Sequence, residues 1–176
     1  MITGISTGSI NAIAMAHYAK GNETAFVDFM SDWWTSDWSH RRIWYDWWLG
    51  ALEGLISKPG IYDNSPTTET INNLLKTWPE GFKRPMILGT TNLVNGKFIT
   101  FNNTDSPNWG DVVAAATAIG GIFPPRKIDG QVLIDGTVKY AVNLFDAITT
   151  CQDMGFTSEN IIIDVALTAG KSIAKV

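Results

Sequence analysis

Apolar positions recur at two different spacings along the chain, and each change of spacing marks an element. Met1 to Ile5 reads as the end of a strand, and Gly4 to Gly8 as a tight turn. From Thr7 or Gly8 to about Lys20, the placing of Ile10, Ile13, Ala14 and His17 predicts a helix that Gly21 stops. Phe26 to Ile56 reads as helical from its Ala, Leu and Glu content and from the series Leu49, Leu52, Leu55, Ile56, and Lys58-Pro59-Gly60 breaks it. Thr67 to Trp78 predicts a further helix with Ile71, Leu74, Leu75 and Trp78 along one face.

The second half alternates strands with helices. Pro85 to Thr91 predicts a strand around Met86-Ile87-Leu88. Asn95-Gly96 signals a hairpin, and Lys97 to Phe101 is the return strand. Trp109 to Ala118 is a small-residue helix, and Gly120-Gly121 with Pro124-Pro125 makes an irregular segment. Val132-Leu133-Ile134 predicts a buried strand ending at Asp135. Val142 to Met154 predicts a helix, and Ile161 to Leu167 a last buried strand. The order predicts an α/β fold with a mainly parallel central sheet flanked by helices. No internal repeat and no dividing linker is visible, so residues 1–176 are expected to form a single domain.

Composition narrows the functional classes. The chain has 176 residues, 45% hydrophobic and 17% charged, which is the balance of a globular protein with a core. A net charge of −4, with Arg41-Arg42 and Lys83-Arg84 as the adjacent basic pairs of the first half, argues against a nucleic-acid partner. No apolar run is long enough for a membrane-spanning helix, and the first residues lack the shape of a signal peptide. The single cysteine, Cys151, excludes an internal disulfide.

Gly4-Ile5-Ser6-Thr7-Gly8 fits G-x-S-x-G. A nucleophilic serine in this pattern sits on a strained turn between strand and helix, and Gly4 and Gly8 leave room for the turn. The following helix aims its N-terminal N–H groups at developing negative charge, and the N–H of Thr7 is the natural oxyanion donor.

A serine hydroxyl needs a proton acceptor. The chain has two histidines, His17 and His40. His17 is eleven residues along the same predicted helix, roughly 16 Å from Ser6, beyond hydrogen-bond reach. His40 reaches the serine only if the Trp-rich stretch folds back. Asp135 ends a buried strand and precedes Gly136, which puts a carboxylate on the sheet edge where α/β sites form. The same Asp-Gly pair also occurs as a plain turn.

Taken together, Gly4-Ile5-Ser6-Thr7-Gly8-Ser9-Ile10-Asn11-Ala12 and Asp135-Gly136-Thr137 resemble the patatin-like phospholipase family. Ala114 to Pro125 and Thr90-Thr91-Asn92-Leu93 with Gly96 and Phe98 extend the resemblance, which covers most of Gly4 to about Leu167. It implies a patatin-like fold and a Ser–Asp dyad without histidine. It also implies hydrolysis of fatty acyl esters in phospholipids, galactolipids or acylglycerols. Ser6 would form the acyl-enzyme, and Asp135 would take its proton and later activate water, with no metal or cofactor. Three departures accompany it. The glycine-rich oxyanion loop and first strand expected upstream of Ser6 are absent, so the chain is expected to be truncated at its N-terminus. Thr137 stands where the family has Gly or Ala, and its β-branch is expected to shift the Asp loop. Ala141 stands where many members have Asn, with Asn143 nearby.

Six of the eight tryptophans fall between Trp33 and Trp48. Beside Arg41-Arg42 they fit an amphipathic surface in peripheral contact with a lipid headgroup layer, or a core packed between helix and sheet. Two further readings compete with the hydrolase. One is a catalytically inactive fragment that binds lipid or a protein partner, which the missing oxyanion loop favours. The other is a histidine-dependent esterase, which the lack of any histidine after residue 40 opposes.

Overall fold

The computed structural model describes residues 1–36, 43–105 and 107–167. Five strands form one sheet, β1 (Ile2–Ile5), β2 (Met86–Asn92), β3 (Phe98–Asn102), β4 (Arg126–Ile128) and β5 (Gln131–Asp135). Six helices flank it: α1 (Gly8–Met15), α2 (Glu23–Thr35), α3 (Ala51–Ser57), α4 (Ser65–Leu75), α5 (Trp109–Ala116) and α6 (Leu144–Asp153). The α/β class stands, but the sheet is mixed rather than mainly parallel. Only β1 and β2 run parallel, while β3 and β5 both lie antiparallel to β2, and β4 antiparallel to β5. The reason is that β2–β3 and β4–β5 are hairpins, which reverse the chain over a few residues. The second hairpin turns at Asp129-Gly130, both in the left-handed region at φ 49° and 75°.

One feature of the pairing places the site. β3 occupies one edge of β2 from Ile87 to Thr91. On the other edge β1 pairs with Met86 to Gly89, and β5 takes over from Thr90 to Asn92. The two strands approach from opposite directions and meet at their C-terminal ends, Ile5 and Asp135. The core beneath is built from Ile10 and Ile13 of α1, Ile71 of α4, Leu88 of β2, Val112 of α5 and Leu133 of β5, all essentially inaccessible. Each such side chain contributes about 1.5–3 kcal/mol by leaving water.

Three expected elements differ. The helix after Gly8 ends at Met15 instead of Lys20, because the Ala16 carbonyl is taken by the N–H groups of Lys83 and Arg84 and the chain tightens into a turn. The expected helix from Phe26 to Ile56 is not continuous. Tyr45 exchanges both backbone hydrogen bonds with Asp63, at 2.8 and 2.9 Å, and Gly50 has φ 67°, so residues 43–50 run as irregular chain between α2 and α3. Ile161 to Leu167 is neither strand nor buried: no strand pairs with it among the described residues, and Ile162 is 90% exposed.

Candidate active site

β1 delivers the chain to Ser6, whose φ of 54° puts a non-glycine residue in the left-handed region. Thr7 returns to helical angles, and α1 starts at Gly8, with the N–H groups of Ser9 and Ile10 donating to the carbonyls of Ser6 and Thr7. The turn is tight because β1 and α1 touch at Gly4. A side chain there would stand 2.7 Å from the Ala12 methyl and 2.8 Å from the Ser9 Cα. Gly8 has no such role: a Cβ at Gly8 meets nothing within 4 Å, since it faces away from the turn. Room for the elbow therefore comes from Gly4 alone of the two motif glycines.

Asp135 is fully buried at the end of β5, and its N–H donates to the Ala118 carbonyl at 3.0 Å. Gly136 follows in a tight position. A Cβ there would lie 2.6 Å from the Gly89 carbonyl oxygen and 3.1 Å from the Ile5 side chain, so glycine lets β5 end against both neighbouring strands. The Ser6 hydroxyl donates to Asp135 Oδ2 at 2.6 Å across 129 residues of sequence. The other carboxylate oxygen, Oδ1, accepts from the Thr137 N–H and the Thr137 hydroxyl, both at 2.8 Å. Thr137 thus meets the carboxylate with two of its own groups. Its hydroxyl folds back and joins the cluster.

The remaining candidates separate. His17 packs away from Ser6, stacked on Trp78 at 4.8 Å and against Phe82 at 4.3 Å, with Nδ1–H donating to the Ile13 carbonyl at 2.8 Å. Burial pushes its pKa below the usual histidine value, the Ile13 carbonyl opposing and Lys83 adding to the shift. His40 lies outside the described residues. Asn143 is buried, but its side chain caps α6 through Asp146 and does not reach Asp135. Concavities of about 230 Å³ and 260 Å³ lie beside Asn108 and Lys127 and beside His17 and Lys83, and neither includes Ser6 or Asp135.

The tryptophans divide between buried and exposed positions. Trp33 is 7% exposed and belongs to the core, and Trp34 donates to Asn11. Trp44 packs on Tyr62, and Trp47 donates to the Gly60 carbonyl beneath the Lys58 ammonium. Trp48 is 95% exposed. Trp38, Arg41 and Arg42 lie outside the described residues.

A serine held in left-handed backbone between a strand and a helix gives this α/β protein a sharp strand–turn–helix elbow. The family model for patatin-like phospholipase matches residues 1–148. The chain belongs to the patatin-like phospholipase family, a family of lipid acyl hydrolases. Comparison with curated proteins returned no match.

Proposed function

We propose that this chain hydrolyses fatty acyl esters of lipids through a histidine-free dyad of Ser6 and Asp135. The observation that carries the reading is the 2.6 Å hydrogen bond from the Ser6 hydroxyl to a buried carboxylate. Asp135 Oδ2 takes the hydroxyl proton as Ser6 Oγ bonds to the ester carbonyl carbon. The oxygen of the tetrahedral intermediate gathers negative charge near the Thr7 N–H at the start of α1. Collapse breaks the bond to the leaving alcohol, which carries away the proton from Asp135. Water then attacks the acyl-Ser6 ester, giving its proton to Asp135, and the fatty acid leaves with Ser6 restored.

A fluorophosphonate probe tests this directly. Labelling is expected in the parent chain and a fall of about a thousandfold or more in both Ser6→Ala and Asp135→Asn. Labelling that persists in both variants would remove the dyad. A second reading is lipid or partner binding without turnover. A folded parent chain that never labels would support it.

The lipid contact is proposed to run through Trp48 and α3. Leu49, Leu52, Leu55 and Ile56 all project into solvent, while Gly54 packs on the backbone of Ile61, so α3 carries its apolar stripe outward. Glu53 is paired with Lys58 at 3.2 Å, which leaves this face without net charge and suited to neutral or zwitterionic lipid. The face leads to the dyad. Ile61 and Tyr62 bond to the carbonyls of Gly121 and Ile122, in the loop whose Ala118 carbonyl holds Asp135. No helix among the described residues is long and apolar enough to cross a membrane. Leu52→Ser with Leu55→Ser is expected to lower binding to phosphatidylcholine vesicles about tenfold or more. Equal binding by the folded variant would sink the idea.

A further inference from the structure

We infer that Thr137 is a positioning residue for the Asp135 carboxylate, an inference that rests on the proposed dyad. A base in nucleophilic catalysis is itself oriented by a third group. Where histidine is the base, a carboxylate does this. Here the base is the carboxylate, and something else must decide which of its oxygens faces the serine. A carboxylate can exchange its two oxygens by rotating about the Cβ–Cγ bond, so a single bond to one oxygen holds it weakly. Among the described residues, the side chains that bond to the Asp135 carboxylate are Ser6 and Thr137, and they divide its oxygens cleanly. Oδ2 meets the Ser6 hydroxyl at 2.6 Å. Oδ1 receives two donors from Thr137, its N–H and its hydroxyl, both at 2.8 Å.

The two donors differ in what they require of the sequence. The N–H bond belongs to the turn that Asp135 begins, with φ −49° and ψ 133°, and most residues at 137 would supply it. The hydroxyl bond requires Thr or Ser. Glycine or alanine would keep the turn and lose the second donor. Threonine adds stiffness, because its β-branch restricts the χ1 rotation that would swing the hydroxyl away. The hydroxyl bonds to Asp135 and not to Ser6, so its effect on the serine runs through the carboxylate. Donors to an ionised carboxylate are among the stronger hydrogen bonds, and in a buried carboxylate they replace lost water.

The test is saturation labelling of the full chain with the fluorophosphonate, comparing Thr137→Val, Thr137→Ala and Thr137→Ser. In Thr137→Val the maximal labelling rate is expected to fall about tenfold with the half-saturating probe concentration unchanged. Thr137→Ser should return to within about threefold of the parent. The proposal is overturned if Thr137→Val labels at the parental rate, or if Thr137→Ser is as slow as Thr137→Val, because a restored hydroxyl would then restore nothing. Should Thr137→Val fail to fold, the comparison of Thr137→Ala with Thr137→Ser decides in the same way. Failure of the dyad itself looks different: parental labelling would then persist in Ser6→Ala or Asp135→Asn, and the role of Thr137 would fall with it.

Discussion

Left-handed backbone at a serine costs on the order of 1–3 kcal/mol, and the close packing of neighbouring residues is what holds it. Gly4 against Ala12 and Gly136 against Gly89 are those contacts. Gly4→Ala and Gly136→Ala should each destabilise the chain by about 1–3 kcal/mol, read as a lower urea midpoint at unchanged slope. Gly8→Ala, with open space at its Cβ, should leave the midpoint nearly unchanged. The motif around Ser6 was legible in sequence because its spacing encodes a strand–turn–helix. The unequal roles of Gly4 and Gly8 were not, since they depend on how α1 leans on β1. The hydroxyl bond of Thr137 was not legible for a related reason: sequence shows that a side chain is branched but not which way its hydroxyl turns. His17 gives a pH prediction. Its folded-state pKa is lowered by burial, so the unfolded chain binds the proton more readily. The stability from neutral His17 is complete above its ordinary value near 6.5 and is lost as pH falls through the folded value. Thermal midpoints measured from pH 7.5 downward should therefore fall below about pH 6.5, and His17→Phe should flatten that fall.

Helices and strands were readable where local pattern and tertiary contact agree. α4, α5 and α6 fall within a few residues of their expected spans, and β2, β3 and β5 do as well. Asn108 caps α5 through the N–H groups of Gly110 and Asp111, so Asn108→Ala should cost about 1 kcal/mol in a denaturation series. Pattern failed where a distant partner claims the backbone. Tyr45 is drawn into pairing with Asp63, and Thr67 donates its hydroxyl to the Ile43 carbonyl, so residues 43–50 do not close a helical ladder. β4 was missed although Asp129-Gly130 is a hairpin signal, because only three residues precede it. Ile161 to Leu167 shows the opposite error. An apolar run reads as a buried strand, but burial needs a neighbour, and no described strand lies alongside.

At the level of the whole chain, the sheet's direction was the part least visible in sequence. Buried strands look alike whether they run parallel or antiparallel, and the preference of hairpins to pair locally decided it here. The consequence reaches the order in which the molecule becomes competent. β1 and β5 are each other's continuation along a single edge, so the contact between Ser6 and Asp135 exists only after β2 has captured both. These are long-range pairings, and such contacts form late in folding. A chain still emerging from the ribosome therefore lacks the contact between Ser6 and Asp135 until residue 135 has been made and docked. In refolding experiments, reactivity toward the probe should return with the slowest tertiary phase and never ahead of it. On the proposed dyad, the chain has no reactivity toward esters before β5 has docked.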